Sequence, residues 1–544
     1  MSIINIGENY KNIVRWVLFV FVQMLCIYLV NKIEYGRGGI GNSVVNFIRL
    51  EFFLIILIQL WLFQILKKNI KSLVFLTLIN IVFYVIVNEF YINFKRIPKI
   101  SEISEVPELL EVLSLQHLLV FIGFSLFYLV FFIRQFEFSK KRVATFLIVA
   151  FGVFYLFKWH SHFYIKMYDT LGFEYQAADS KLGARTNGYL NFILFEEAKR
   201  NDAMKKLNQL EIQFSKFSPP DEANLNKRNV HLIVLESFFD PHMFENLTFS
   251  QSPIHETFQD LYEHQHISKS PVYGGGTAQA EFELLTGTPA LGKYANIEFN
   301  LFTGNLVNDA LASKLNQLGY TTVATNAMTP DIFNAQKAYE SLGFEQQYYI
   351  SGNTYLSKKE GDRFLYDGDL LGQNIQFVKE FIQKDSTQLL FNYVLGIYGH
   401  SPNTMDPERH PENLQVFLDD QKIPNEKFKR SINQIYYRTL SLSKYVSQLK
   451  EVDPDALIVI VGDHLPSISD IDLYGYKDPG LTKVPFYIIK DSEPFQLEPK
   501  EYHHYMISNM ILDDILGIET TSTQNLENRY DEIIYQAIQS KNNH

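Results

Sequence analysis

Five apolar runs occupy the first 157 residues of this chain and decide most of what it can become: Ile13 to Val30, Phe52 to Leu66, Leu73 to Ile92, His117 to Ile133 and Val143 to Phe157. About 30 Å of hydrocarbon takes roughly 20 helical residues, and each run approaches that length, the second and fifth being shortest. One such run alone is as readily a buried core helix. Five in succession, separated by short polar segments, are expected to be five transmembrane spans. Residues 1–157 therefore read as a membrane domain, 158–229 as an amphipathic linker and 230–544 as one large further domain. Asn31, Lys32 and Glu34 follow the first run where a signal peptide would carry a small-x-small cleavage pattern, so this span is expected to be retained.

The basic residues orient these spans. Lys11, Arg15, Lys67, Lys68, Lys71, Arg134, Lys140, Lys141 and Arg142 fall on one side, nine in all, against six on the other: Lys32, Arg37, Arg49, Lys95, Arg96 and Lys99. The excess places the N-terminus in the cytoplasm, and an odd number of spans delivers everything after Phe157 to the outside. The single cysteine, Cys26, lies in the first span, so the exported part has no disulfide and must rely on its core or on a bound metal. A net charge of −11 and the absence of a basic stripe interleaved with aromatics argue against a nucleic-acid partner.

Beyond the membrane region, Leu190 to Phe217 reads as one or two helices and Ser218-Pro219-Pro220-Asp221-Glu222 as a breaker. Short apolar runs then follow at Val230 to Leu235, Thr321 to Thr325, Leu389 to Leu395, Ala456 to Val461 and Val484 to Ile489, typical of buried strands. Helical patterns at Thr303 to Leu318, Leu371 to Ile382 and Lys427 to Leu449 separate them. The alternation predicts an α/β domain, a mainly parallel sheet sandwiched by helices, with its chemistry at the carboxyl ends of the strands. The polar segment after Asn528 reads as a surface helix without a site.

Three features sit where such a sheet places a site: Glu236 directly after the first strand, Asp463-His464 directly after the Ala456 strand, and Gly274-Gly275-Gly276-Thr277 ahead of a helix. Each alone has a plainer reading: a strand-end charge, a turn, a flexible loop. Together they supply hard oxygen and one imidazole, a set suited to manganese, magnesium or zinc. A threonine hydroxyl becomes a useful nucleophile only when a metal or base stabilises its alkoxide. The helix opening near Ala278 offers N–H groups to an anion such as phosphate. Thr277 also fits an ordinary helix N-cap, with Glu281 a turn later. His400, in Tyr398-Gly399-His400-Ser401-Pro402 after a predicted buried strand, reads either as a substrate contact or proton shuttle or as a hydrogen-bonded structural histidine.

Four motifs in order, Leu235-Glu236-Ser237-Phe238, Gly276-Thr277-Ala278-Gln279-Ala280-Glu281-Phe282-Glu283, His400-Ser401-Pro402 and Gly462-Asp463-His464, resemble the lipoteichoic acid synthase family. Five spans followed by an extracellular sulfatase-like domain of the alkaline phosphatase superfamily also resemble that family's architecture. The resemblance implies that Glu236, Thr277, Asp463 and His464 are metal ligands, with manganese the usual ion, and that Thr277 is also the nucleophile. It implies transfer of glycerol phosphate from phosphatidylglycerol, with diacylglycerol leaving and a surface glycan, teichoic acid or glycolipid as acceptor.

The chain also departs from that pattern. Phe333-Asn334-Ala335 aligns where the synthases carry Trp-Asn-Arg, and Asn326 replaces a histidine, at positions expected to hold the head group; Lys337 and Arg363 are the nearby cations. Decoration of another surface polymer is thereby favoured over polymerisation. Two rivals are a phosphoethanolamine transferase, whose exported domain is typically cysteine-rich, and a non-catalytic protein that binds a lipid or wall polymer. A true sulfatase needs a formylglycine-forming Cys or Ser in a Cys/Ser-x-Pro-x-Arg setting, which neither Cys26 nor the Thr277 segment provides.

Overall fold

The computed structural model describes residues 4–41, 50–100, 115–170, 180–209, 217–218, 225–352, 354–468, 471–498, 501–518 and 526–538. The chain divides into two compact units, Met1–Lys206 and Leu207–His544.

In the first unit each expected apolar run falls in a helix, the second only as far as Phe63: Ile4–Gly36, Leu50–Phe63, Ile70–Phe94, Leu115–Gln135 and Lys140–Trp159. Three stretches, Val14–Gly36, Ile70–Ile92 and Lys140–Trp159, are long and apolar enough to cross a membrane, and Leu115–Gln135 is 21 residues long, whereas Leu50–Phe63 has 14. Among the described residues four of the five expected spans therefore have the length to cross, and three of these also stand out by hydropathy. At about 1.5 Å per residue, a helix the length of Leu50–Phe63 falls short of the hydrocarbon thickness. Amides along the first and third helices pair with each other. Gln23 Nε2 donates to Thr77 Oγ1 and Asn80 Nδ2 to Gln23 Oε1, both at 3.0 Å, and Asn88 Nδ2 donates to Asn31 Oδ1 at 3.2 Å. In apolar surroundings such groups cost free energy unless paired, so their matched positions set the register of the two helices. Shorter helices at Ser161–Thr170, Ser180–Asn187 and Tyr189–Leu207 follow; the predicted breaker at 219–222 lies outside the described residues.

The second unit carries twelve strands among its described residues: β1 Val230–Leu235, β2 Leu247–Phe249, β3 His266–Lys269, β4 Tyr320–Asn326, β5 Gln346–Tyr349, β6 Leu389–Gly396, β7 Val416–Leu418, β8 Gln421–Lys422, β9 Leu457–Gly462, β10 Lys483–Lys490, β11 Glu493–Pro494 and β12 Glu501–His503. Nine form one sheet in the order β12-β3-β10-β9-β1-β6-β4-β5, with β11 on β10, and β2-β7-β8 make a small separate sheet. All five predicted strands are present, but the sheet is mixed. Strands β9, β1, β6, β4 and β5 run parallel, whereas β10 is antiparallel to both β9 and β3. No helix lies among the described residues between β9 and β10, so the chain returns without the crossover that a parallel pair needs.

Strands β1 and β9 are buried at every position, so both faces of the sheet are covered. Adjacent residues of β6 show with what. Asn392 exchanges hydrogen bonds with Asn374 of the helix Asp367–Lys384, while Tyr393 donates to Glu281 of the helix Thr277–Thr286. Successive strand residues point to opposite faces, so these two helices lie on opposite sides. Asp367–Lys384 packs against Glu426–Val452, and Thr277–Thr286 against His504–Leu516.

Two helical expectations change. The pattern at 303–318 is helical only over Leu311–Gln317, because Gly304 adopts φ 88° and breaks the first half. The segment after Asn528 is not a surface helix. Leu526–Ile538 buries Tyr530, Ile533, Ile534 and Ala537, and Arg529 bonds Asp309 and the Thr286 carbonyl, so the exposed charges hid an amphipathic face.

Candidate active site

Strand register builds the site. Leu235 lies opposite both Gly396 and Gly462, so β1, β6 and β9 end at one level and the next residues of each strand emerge side by side. Glu236 N donates to the Gly396 carbonyl at 2.8 Å and Asp463 N to the Leu235 carbonyl at 3.1 Å, which extends the ladder to the two carboxylate residues themselves. The loops leaving these strands are pressed together: a Cβ on Gly399 would stand 2.1 Å from the Glu236 carbonyl oxygen, and one on Gly462 at 2.1 Å from that of Phe238. Ser237 turns the chain in the left-handed region, at φ 50°. Its backbone N–H donates to Asp463 Oδ1 at 2.7 Å and its hydroxyl to Glu236 Oε1 at 2.9 Å, so one residue orients both carboxylates.

Thr277 enters from another element. Gly274, Gly275 and Gly276 have φ of 74°, 151° and 93°, a course that side chains resist, and Gly276 is the helix N-cap. Thr277 is thus the first helical residue and not the cap. Its hydroxyl donates to Glu236 Oε2 at 2.5 Å and stands 3.5 Å from His464 Nε2. Glu236, Asp463 and His464 present donor atoms within 4.8 Å of one another, all three buried.

This group has the chemistry of a cation site. His464 Nδ1 faces the Leu465 carbonyl at 2.8 Å, which makes Nδ1 the protonated nitrogen and leaves the Nε2 lone pair directed at the carboxylates. Asp463 Oδ2 is buried without a hydrogen-bond partner, 3.3 Å from that same Nε2. Two carboxylates and an imidazole lone pair converging out of water repel one another unless a cation lies among them. Burial and the neighbouring Glu236 charge push the Asp463 carboxyl well above its usual range. Burial opposes the charge of Glu236 too, but with no cation present the positive charge of His464 and His400 when protonated, with the Thr277 hydroxyl bond, outweighs it and holds that carboxyl low.

His400 follows β6 at the same sheet edge. Its Nδ1 faces the Ser401 carbonyl at 2.9 Å and its ring meets Phe364 at 5.3 Å. It stands outside the converging group, close enough for its charge to act on Glu236. Arg363 lies over the same Phe364 ring, whereas Lys337 is exposed on the helix Ala335–Leu342.

Several contributors were not visible in the motifs. His504 is fully buried, with Nε2 at 2.9 Å from the Asp463 carbonyl and Nδ1 at 2.6 Å from Ser268 Oγ. Burial drives its pKa down to about 3 despite the bond to that carbonyl, so a neutral ring braces the Asp463-His464 loop. Arg438 Nε donates to Asp367 at 2.6 Å, deep beneath Gly396 and Gly399. Asn326 is turned inward: Nδ2 donates to Tyr339 OH at 3.0 Å and Oδ1 accepts from Met328 N at 2.8 Å. Asn334 Nδ2 donates to the Phe299 and Phe302 carbonyls, and Ala335 is buried at the start of its helix.

Residues 228–517 match the family model described as Sulfatase. A 257-residue stretch, 46% of this chain and 38% of the relative, is 25% identical to a "Putative cyclic beta-1,2-glucan modification protein" of Rhizobium meliloti (strain 1021). A 210-residue stretch, 36% of this chain and 37% of the relative, is 29% identical to an uncharacterized protein of Haemophilus influenzae. The matches thus span well under half of those relatives' lengths. Among solved structures, the phosphoglycerol transferase of Streptococcus pyogenes in complex with sn-glycerol-1-phosphate aligns with TM-score 0.48 and 14% identity over 62% of this chain and 89% of that one. The integral membrane lipooligosaccharide phosphoethanolamine transferase A of Neisseria meningitidis aligns with TM-score 0.48 and 12% identity over 96% of this chain and 98% of that one.

Proposed function

The chain belongs to the sulfatase family, and we propose that within it this protein is a membrane-anchored, metal-dependent transferase that moves glycerol phosphate from phosphatidylglycerol to a cell-surface glycan, teichoic acid or glycolipid. The observation that carries the reading is the Thr277 hydroxyl, hydrogen-bonded at 2.5 Å to Glu236 at the point where Glu236, Asp463 and His464 converge. Threonine cannot become formylglycine, so at the nucleophile's position it suits phosphoryl transfer rather than sulfate-ester hydrolysis. The relative from Rhizobium meliloti, whose description names modification of a cyclic glucan, supports a glycan as acceptor.

Glu236, Asp463, His464 and Thr277 Oγ are the groups that would hold the ion, manganese first, with magnesium or zinc as alternatives. A divalent cation there supplies positive charge that lowers the hydroxyl's pKa and polarises the phosphoryl group. Thr277 Oγ, oriented by its bond to Glu236 Oε2, attacks phosphorus, and its proton is released to water, because a carboxyl held low is a weak base. The Thr277 Oγ–P bond forms as the bond from phosphorus to the diacylglycerol oxygen breaks. His400, whose Nδ1 is engaged with the Ser401 carbonyl, has Nε2 for giving a proton to that leaving oxygen. The acceptor hydroxyl then attacks the phosphothreonine diester and gives its proton to His400 Nε2, the Thr277 Oγ–P bond breaks, and Thr277 Oγ takes a proton from water.

The apolar N-terminal helices suit a lipid donor, and the excess of basic residues around Lys67 and Lys140 supports a cytoplasmic N-terminus with the second unit outside. The decisive assay supplies vesicles of phosphatidylglycerol labelled in its terminal glycerol, with and without manganese. Metal-dependent release of diacylglycerol that disappears in Thr277→Ala establishes donor and nucleophile. Cleavage of phosphatidylethanolamine instead assigns the chain as a phosphoethanolamine transferase, and inertness toward both lipids makes it a binding protein.

A further inference from the structure

Glu281 belongs to the motif that carries Thr277, yet the reaction steps leave it without a task. It is buried, one helical turn beyond Thr277, and residues spaced i, i+4 share a helix face. Its Oε1 accepts from Tyr339 OH at 2.5 Å and from Tyr393 OH at 2.7 Å, so two phenols spend their only hydrogens on one carboxylate oxygen. Tyr339 OH in turn accepts from Asn326 Nδ2 at 3.0 Å, and Asn326 Oδ1 accepts from Met328 N at 2.8 Å. The chain of bonds ties the helix Thr277–Thr286 to β6 through Tyr393, to the helix Ala335–Leu342 through Tyr339, and to the end of β4 through Asn326.

A carboxylate in a closed interior is a costly way to fill space, and an apolar side chain of similar volume there is often neutral or stabilising. What the carboxylate adds is direction: two short, fixed hydrogen bonds set the rotation of the helix about its own axis, which apolar packing leaves softer. Thr277 lies on the same face at the end of the helix that meets Glu236. The same tether occupies Asn326, which accounts for an inward-facing amide at a position expected to face the head group.

We propose that Glu281, seated between Tyr339 and Tyr393, is a positioning residue that sets the rotation of the Thr277 helix and so aims Thr277 Oγ at phosphorus. This rests on the reading of Thr277 as nucleophile of the transferase given above. The test uses the full-length protein in phosphatidylglycerol vesicles with manganese, and variants Glu281→Gln, Glu281→Leu and the pair Tyr339→Phe with Tyr393→Phe. Three quantities are followed: single-turnover formation of the glycerophosphothreonine by intact mass, bound manganese, and deuterium exchange over residues 274–280. Glu281→Leu and the tyrosine pair are expected to slow adduct formation and speed exchange by about tenfold, the factor one unmade buried hydrogen bond is worth, at unchanged manganese content. Glu281→Gln, which keeps an acceptor for both phenols, is expected to restore both. The tyrosine pair decides the matter should Glu281→Leu not fold.

Wild-type exchange over 274–280 in the folded variants, or slowing matched by equal loss of manganese, overturns the proposal. A wild-type protein that forms no adduct from any lipid overturns the transferase reading instead, and the exchange measurement still decides whether Glu281 positions the helix.

Discussion

The Thr277 hydroxyl donates to Glu236 Oε2 at 2.5 Å across 41 residues of sequence, and the donor sits at the first helical position behind a glycine cap. Because Gly276 is the cap, replacing Thr277 removes no capping bond, and alanine is a good helix former. Thr277→Ala is therefore expected to melt within a few degrees of the native protein while diacylglycerol release falls by roughly 10⁴-fold or more, the order seen when an essential nucleophile is deleted. Thr277→Ser, which keeps the oxygen, is expected to retain measurable turnover. Activity in the alanine variant above a hundredth of the native rate removes Thr277 from the nucleophile's role.

Asp463 offers a different separation. Its Oδ1 accepts from Ser237 N at 2.7 Å, and an asparagine placed there keeps that bond, whereas Oδ2 has no hydrogen-bond partner to lose. Asp463→Asn replaces a carboxyl whose ionisation burial and the Glu236 charge already oppose, so the metal-free variant is expected to be as stable as the native chain or more so. Its manganese binding is expected to weaken at least tenfold. Added manganese should raise the melting temperature of the native protein and that of the variant by less, since stabilisation grows with affinity for the folded state. Equal shifts in both would take Asp463 out of the ligand set.

Much of this arrangement was legible in the sequence, and the reason is local. Strands β1, β6 and β9 are buried on both faces and so appear as unbroken apolar runs, and the residue after each run marks the sheet edge where Glu236 and Asp463 stand. The antiparallel β10 was equally visible as a strand but not in its direction, which depends on the connection rather than on composition. Short strands such as β3 and β12, four and three residues long, carry too little pattern to be seen. The braces were hidden for another reason. His504 meets the Asp463 carbonyl across 41 residues and Tyr393 meets Glu281 across 112, and no local signal records such pairings. In the first unit, hydropathy marked all five helices but did not separate the 14-residue Leu50–Phe63 from the longer four.

The glycines at the strand ends make a steric prediction. A Cβ on Gly399 would lie 2.1 Å from the Glu236 carbonyl oxygen and 2.5 Å from Arg438 Nη1, and the obstacle in the first case is backbone that also carries the candidate ligand. Gly399→Ala is expected to destabilise the second unit by about 1–3 kcal/mol, the usual cost of overpacking, and to weaken manganese binding by shifting Glu236. Gly372→Ala is the matched control: it lies within the helix Asp367–Lys384 with nothing within 4 Å of its added Cβ, and helix propensity there favours alanine. Thermal melts with and without manganese read both effects, and a Gly399→Ala protein indistinguishable from the control contradicts the close approach.

Glu283 makes the stability of the metal-free protein depend on pH. Burial pushes its carboxyl up to about 8 against the bonds it accepts from Ala290 N and Tyr505 N, and burial likewise carries Glu281 up to about 7. A carboxyl whose folded pKa exceeds its unfolded value binds more protons folded than unfolded. Its stabilising protonation is complete below the unfolded value of about 4.5, and stability declines as pH rises until the folded value of about 8 is passed. The steepest contribution of one such group is about 1.4 kcal/mol per pH unit. Glu283→Gln keeps the acceptor for Ala290 N and turns an amide toward Tyr505 N–H, an added cost that does not change with pH. The variant is therefore expected to differ from the native chain in slope: between pH 4.5 and 8 its unfolding free energy, followed by exchange of the β1 amides, should fall less steeply. Parallel slopes would mean that Glu283 is already ionised in the folded protein and that the Ala290 and Tyr505 amides outweigh its burial.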